Sequence, residues 1–599
     1  MLAWASLVLL ICGCTRDQWQ RFPSPDDAVA AVPWFSVMKR SIAIEPYRIA
    51  HLGPVPGTVP ITGHEVVLPA IPANEATLNR LVNPVQRTAA SLERGRDRYG
   101  IYCLVCHGPE GLGNGPVAPA LANAVRNLSE PRMRARSDGW IYAVIANGFG
   151  ALMPEYRSKI TPEDRWHIEL RARASGHGSG DPMTGTSGHD DAYRRAAEAP
   201  AGPLVTGGAV LAAVGLALFA MFIVGDDPAR AWRAYHVNFL FFTGISLGGV
   251  AFSAAFRVTK GAWAGPIVRF AEAGSAFLPI SLLCFLVLFL GRHHLFPWID
   301  HPTPARGAWL TTSWVFWRDL GALLALSSLA IAYVYHNLKP DLAALRDSAP
   351  QARRSRYERI AAGFTGTPEQ TAENERRLDR LAPLFLVVYA YLVTLIAFDL
   401  VMSLAPYWYS TLFGWWFFMG AFLTGLTTLG LMTVYWRSRL ALQSLIGRHQ
   451  FHDLGKLVFG LSVFWAYLMF SQFLVQWYGN LPDETAFPFY RMWGEWRPVA
   501  ILVGLMVFMI PFWGLIWVKS KITPFTFTVF VTVSWAGVWL ERYLLVQPSL
   551  TEHGPEFGLP ELGITAGFLG LFLLAYGLFA RSFPMISPRL ADEAAKWHH

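Results

Sequence analysis

The chain has 599 residues, 53% of them hydrophobic and 14% aromatic, with a mean hydropathy of +0.31, which is too apolar for a water-soluble protein of this size. Its net charge of +8 does not imply nucleic-acid binding. Lys and Arg fall mainly in short stretches between apolar runs, where membrane proteins place them, and no basic stripe interleaved with aromatics is present. Five cysteines, at 12, 14, 103, 106 and 284, are too few for a disulfide scaffold. Cys284 lies inside an apolar run and reads as a small buried apolar residue. Up to about residue 200 the chain is polar and rich in Pro and Gly, and from Pro203 onward long apolar runs recur. Two modules follow from this shift: a soluble one, then a polytopic membrane one.

Residues 2–13, LAWASLVLLICG, form an apolar run too short to span a bilayer and match the hydrophobic region of a signal peptide. The run ends in Leu10-Ile11-Cys12-Gly13-Cys14, which resembles a bacterial lipobox. The resemblance implies that 1–14 is a leader and that Cys14 is lipidated and becomes the mature N-terminus. Residues 1–13 hold no Lys or Arg, a departure from the pattern, and a plain signal peptide is the other reading. Residues 15–87 are rich in Pro and Val with no sustained helical period, which predicts an extended segment.

Tyr102-Cys103-Leu104-Val105-Cys106-His107 carries the strongest chemical signal. CxxCH reads as attachment of one covalent c-type haem. Two intervening residues let both sulfurs reach the porphyrin edge as thioethers, and His107 then comes under the iron as axial ligand. A zinc site would need two further ligands at suitable spacing, and a thioredoxin-like site a βαβ setting. Residues 88–102 predict a helix with Leu92, Tyr99 and Tyr102 available for one face. A glycine-rich loop, Gly108 to Gly115, follows the His. Residues 139–147 predict a second helix, ended by Gly148, Phe149 and Gly150, and then comes Met153-Pro154. Residues 162–174 predict a terminal helix after Thr161-Pro162.

Residues 88–178 resemble a class I cytochrome c: a helix ending in CxxCH, and a Met in a loop before the last helix. The resemblance implies a small all-α fold around the haem, with Met153 as the second axial ligand. Met133 is the competitor, flanked by Arg132 and Arg134, and His167 reads as a helix-surface residue. Met/His ligation raises the reduction potential. Residues 179–202 belong to a polar linker that begins near Ser175, whose His177 and His189 are too sparse for a metal site.

Apolar runs recur at 203–224, 234–256, 261–291, 320–336, 382–402, 411–435, 457–476, 498–518, 525–546 and 563–580. They predict an all-α bundle of about ten transmembrane helices. Trp and Tyr crowd their ends, as in Tyr407-Trp408-Tyr409. The charged stretch 338–380 reads as the largest loop. Ten spans put the haem segment on the same side as the basic loops 338–380, 436–456 and 519–521, yet c-type haem is attached outside the cytoplasm. Either one run does not span, the first run after the linker being the suspect, or charge does not decide this topology, or the fusion of the two modules is an artefact of the gene model. His236, Glu272, Asp399, Glu541 and Arg542 lie in or beside spans, where ionisable residues are costly. Among them His236, Glu272 and Asp399 are candidates for a proton path. The competing reading is a satisfied structural pair, such as Arg269 with Glu272 at i,i+3. His452-Asp453 reads as a helix cap rather than a ligand site.

Residues 203–585 resemble the NrfD-like (polysulfide-reductase membrane subunit) family, specifically a membrane subunit of alternative complex III. Ala231-Trp232-Arg233-Ala234-Tyr235, PIVRFAEAGSAFLPI at 266–280, the run 451–485 and WGEWRP at 493–498 carry the likeness. The haem segment resembles the monohaem lipoprotein subunit of that complex, so the two modules point independently to one assembly. The resemblance implies an electron-transfer subunit of a quinol:cytochrome c (or oxidase) oxidoreductase, not a stand-alone enzyme, in the bacterial inner membrane with its haem on the periplasmic side. Implied partners are an iron–sulfur subunit, a multihaem cytochrome, a second NrfD-like subunit, and a soluble cytochrome c or terminal oxidase. The module looks more like the family member whose suggested role is scaffolding or proton conduction, so no quinol site is assigned. A transporter or a structural anchor carrying an accessory cytochrome are the alternatives.

Overall fold

The computed structural model describes residues 78–121, 124–150, 153–174, 193, 195–196, 199–302, 306–307, 309–347, 349–551 and 554–597. Cys14, residues 15–77 of the extended segment, and His177 and His189 lie outside the described residues. The chain divides into two compact units at Gly178/Ser179, each with its own core. Both are helical, and among the described residues the β-structure is one isolated bridge, Phe149–Met153.

The first unit is built on α1 (Ala89–Tyr102), α2 (Leu104–His107), α3 (Pro131–Arg134), α4 (Asp138–Asn147) and α5 (Pro162–Ala174). Thr88 starts α1 with a capping box: its hydroxyl accepts from Ser91 N, and the Ser91 side chain accepts from Thr88 N. The fully buried face of α1 is Ser91, Gly95 and Tyr99, one helical turn apart, with Leu92 and Tyr102 half-buried. Of the predicted face Tyr99 is buried and Tyr102 packs on the same core, while Gly95, with no side chain to read as apolar, marks the closest approach. A Cβ there would sit 2.1 Å from His167 O of α5. Arg94 clamps the same crossing through Asp164 at 2.7 Å. His167 is therefore no free helix-surface residue; its side chain is 12% exposed and lies in this crossing.

The second unit contains α6 (Gly202–Ile223), α7 (Pro228–Val258), α8 (Val268–Leu295), α9 (Thr312–Leu345), α10 (Gln351–Ile360), α11 (Pro368–Leu400), α12 (Phe413–Arg439), α13 (Arg448–Gly479), α14 (Pro482–Met492), α15 (Gly494–Leu515), α16 (Pro524–Val546), α17 (Leu559–Ser582) and α18 (Pro588–Trp597). Ten of these, all but α10, α14 and α18, are long and apolar enough to cross a membrane. α7 is the hub, buried along nearly its whole length. It meets α12 where Gly248 faces Gly425, and a Cβ on Gly425 would lie 2.4 Å from the Gly248 carbonyl carbon. Small residues allow this backbone approach where lipid supplies no hydrophobic drive.

The first run is among the helices long and apolar enough to cross a membrane. As α6 it lies along α17, with Gly215 so close to Gly567 that a Cβ would come 2.1 Å from its Cα. The stretch 338–380 is mostly not loop: α9 runs on to Leu345, α10 takes ten residues, and α11 begins at Pro368. Arg and Glu are good helix formers, so a charged stretch extends a span into water rather than ending it.

Residues that enter the bundle mark one end of it. Arg195 donates to Leu440 O, Tyr193 to Asp592, and Met585 N to Ala196 O. Arg257, Glu375 and Arg589 join there too. This is the end of the basic loops. At the opposite end Arg230 is paired with Glu561, and Arg491 donates to Leu545 O. Ten such helices among the described residues bring the chain back to the end at which it enters the bundle, the end of the basic loops.

Candidate functional site

In the first unit, α1 delivers Cys103 at its C-terminal end and α2 carries Cys106 and His107 one turn on. The glycine-rich loop folds back under them: Gly113 N donates to His107 O at 2.9 Å and Gly115 N to Cys106 O at 3.0 Å. Gly115 has no room for a side chain, since a Cβ would lie 2.5 Å from Val105 O. Gly108 takes φ +74 and ψ 168, a conformation open essentially to Gly. Two hydrogen bonds brace this turn, Tyr99 OH to Gly108 O at 2.9 Å and Arg171 to Pro109 O at 2.9 Å.

His107 Nδ1 lies 3.1 Å from Arg126 O. The carbonyl holds Nδ1 as the N–H, which leaves Nε2 as the lone-pair nitrogen, the state a metal needs. Burial lowers the imidazole below the ordinary histidine range, against the opposing pull of that carbonyl, and so also favours the neutral ring. Burial pushes the Cys103 thiol up to about 12, with Cys106 adding to the shift. The two thiols are unpaired and not in a disulfide.

Met153 is held by a tight return of the chain. Phe149 N donates to Met153 O at 3.0 Å and Met153 N to Phe149 O at 3.3 Å. Gly148, at φ +75, makes the bend possible, because a Cβ there would lie 2.5 Å from Met153 O. Met153 packs against two apolar clusters, one with Leu78, Trp140 and Val144, the other with Tyr99, Ile145 and Ile168, which also touches Cys103 and Leu104. Met133 reaches only the first cluster. Val105, Leu112, Val117 and Phe149, on the segments flanking the thiols and Met153, stay exposed. Two thiols, a neutral imidazole, a thioether and uncovered apolar side chains are the donor set and lining a covalent haem requires, so the residues fit that group.

The membrane-segment candidates are dispersed. No hydrogen bond or ion pair joins any two of His236, Glu272 and Asp399. Glu272 is fully buried near the basic end. It accepts from Ser253 at 2.7 Å, Asn337 at 2.5 Å and Arg269 at 2.6 Å, and Arg269 also binds Asp341 at 2.5 Å. The i,i+3 pair is present, inside a larger satisfied network. Asp399, near the other end, accepts from Arg318 at 2.6 and 2.7 Å and from Trp309 at 2.8 Å. His236 is fully buried against Phe296, and neither ring nitrogen has a partner. Arg542 lies over the Phe417 ring and donates to Phe417 O, with Glu541 at 3.5 Å. His452 and Asp453 do not cap α13. Gln450 caps it by accepting from Gly447 N, and Asp453 pairs with Lys456.

Sequence reasoning missed Arg318, Asp319 and Asp341. The apolar run was bounded at 320, just past the Arg318-Asp319 pair, because a charged pair ends a hydropathy window although the helix continues through it. Asp319 is fully buried.

Residues 90–168 match the family described as cytochrome C oxidase, cbb3-type, subunit III. Residues 223–552 match polysulphide reductase, NrfD. No curated protein matches the chain. The first match implies a c-type haem, and the two together describe a multi-pass membrane subunit that transfers electrons and works with partner subunits. With more than half of its length inside the second match, the chain belongs to the NrfD polysulphide reductase family and carries a cytochrome c domain ahead of that family's membrane module.

Proposed function

We propose that the chain is the electron-exit subunit of a quinol:cytochrome c or quinol:oxidase oxidoreductase of the alternative complex III type. Cys103 and Cys106 would hold one haem c covalently, and His107 and Met153 would ligate its iron. The observation that carries this reading is that Met153, and not Met133, shares an apolar cluster with Cys103, while Arg126 O orients His107. When bound, the haem supplies one-electron exchange at a raised potential. The chain's own residues set the conditions for it. Arg126 O fixes the imidazole tautomer, Gly148 holds Met153 back toward the core, and the apolar lining excludes water. No acid–base residue is needed in the cytochrome domain.

The remaining parts follow the same reading. Cys14 is lipidated, the cytochrome domain works on the periplasmic side of a bacterial inner membrane, and the partners are an iron–sulfur subunit, a multihaem cytochrome and a second NrfD-like subunit. The membrane module docks these partners and conducts protons, with His236, Glu272 and Asp399 as path residues. Haem staining of a denaturing gel after purification from native membrane tests the core of the reading. A stained band at the length of the full chain, co-purifying with iron–sulfur and multihaem subunits, is expected. Haem that leaves the protein in acid–acetone would refute covalent attachment. Proteolysis of the Arg-rich 346–367 segment in right-side-out against inside-out vesicles decides which face the basic loops occupy.

A further inference from the structure

Asp319 stands on the second turn of α9, fully buried, and neither of its carboxyl oxygens finds a hydrogen-bond donor. The charged groups acting on it are Asp399 of α11 and Arg318 of its own helix. Arg318 does not serve it: the guanidinium spends two short hydrogen bonds on Asp399, which also takes the Trp309 indole N–H. Among the other elements packed on α9, α7 brings the buried His236 and α8 ends in Arg292, His293 and His294; none of these bonds to the pair.

Two buried carboxylates and one guanidinium leave a net negative charge if both acids ionise, and an unpaired buried charge is costly. A hydrogen bond between the two carboxyl groups exists only when one of them holds a proton. That single proton neutralises the set and gives Asp319 its missing bond, with the Asp319 O–H donating to Asp399. The network at the other end of the bundle contrasts with this. It too has two carboxylates on one arginine, but Glu272 there takes donors from Ser253 and Asn337 as well. One side chain away from the buried pair lies open space. A cavity of about 150 Å³ is lined by Arg306, Trp309, Phe398, Met402, Ser403 and Trp408. Trp309 and Ser403 touch Asp399 directly, through its carboxylate and its backbone carbonyl.

We propose that Asp319 and Asp399 form an acid pair that shares one exchangeable proton beside Arg318, and that this pair is where the membrane module takes up or releases a proton at the end opposite its basic loops. The step moves one proton and no electron: the loaded state is Asp319–COOH with Asp399 as carboxylate, and the unloaded state has both ionised. The proposal rests on the proton-conducting part of the proposed function and adds a residue, a stoichiometry and an entry cavity to it.

Infrared spectroscopy of the purified full chain with its partners tests it. The spectrum of the unmodified protein minus that of Asp319→Asn is expected to contain one deuterium-sensitive carboxylic-acid band and no carboxylate loss. Asp399→Asn is expected to remove the same acid band, because Asp319 then ionises against Arg318. Asp319→Asn copies the shape of the neutral acid, so it should fold. If it does not accumulate, heavy-carbon labelling of aspartate in the unmodified chain must shift the acid band. A difference spectrum in which Asp319→Asn removes a carboxylate instead of an acid overturns the proposal, as does an acid band that ignores aspartate labelling. Quinol-driven haem reduction in the same sample reports separately on the proposed function. Its failure with the band intact refutes electron exit alone.

Discussion

Replacing Gly148 by Ala separates the role of Met153 from mere packing. Gly148 sits at φ +75 and ψ −180, outside what other residues adopt, at a cost of about 1–3 kcal/mol for a side-chain-bearing residue. The added Cβ would lie 2.5 Å from Met153 O and 2.9 Å from Pro154 C, both backbone atoms that cannot swing aside. Overpacking of this kind costs about another 1–3 kcal/mol. The total, about 2–6 kcal/mol, falls on the return that presents Met153. At about 1.4 kcal/mol per tenfold, the share of molecules with the thioether in place drops by a factor of about 30 or more. The assay is the methionine-to-ferric-iron charge-transfer band, with the midpoint potential measured in parallel. Both should fall in Gly148→Ala. They should hold in Gly150→Asn, where φ is +61, nothing lies within 4 Å of the added Cβ, and Asn tolerates the conformation. An unchanged band and potential in Gly148→Ala would refute Met153 as the ligand and redirect attention to Met133.

Arg269→Ala removes the cation shared by Glu272 and Asp341 and is expected to destabilise the bundle by about 3–5 kcal/mol, read as lost detergent-solubilised yield and melting temperature; an unchanged melt would show that the acids were already neutral. Gly215→Leu drives a side chain into the backbone of Gly567 and should split α6 from α17, measured as loss of crosslinking between engineered cysteines on the two helices; retained crosslinking would refute their close contact. In the cytochrome domain burial works against the charge on Asp164, yet Arg94 and Arg98 outweigh it and hold the carboxyl below the usual range. A lowered folded-state value means stability that is present above the ordinary carboxylate range and lost as pH falls through the folded value. Asp164→Asn should therefore flatten the acid limb of the domain's melting profile by less than about 1 kcal/mol, since Arg94 is half-exposed; an unaltered acid limb would refute the clamp.

Much of this protein is written locally. Cys103, Cys106 and His107 are adjacent in sequence, so their chemistry is legible without a fold. The helices 89–102, 138–147 and 162–174 follow from capping, glycine stops and Thr-Pro starts, and the ten apolar helices follow from length and hydropathy. The sequence also proposes Met153 over Met133; in the fold Met153 touches both apolar clusters and Met133 only the first, through contacts between segments far apart in the chain.

What the tertiary structure alone decided are the partnerships. Glu272 and Asp399 are both acids in apolar runs, Glu272 with Arg269 as its one sequence-readable partner, yet Glu272 lies in a network that meets both its oxygens and Asp399 stands beside an acid with no donor at all. That difference depends on residues some 65 to 90 positions away, Asn337 for Glu272 and Trp309 and Arg318 for Asp399. The same holds for Gly95, Gly215 and Gly248, whose lack of a side chain carries no periodic signal until a second helix comes against them. Hydropathy and capping act within a few turns of one helix. The desolvation and pairing of a buried charge are set by whichever groups the packing of other helices brings to it.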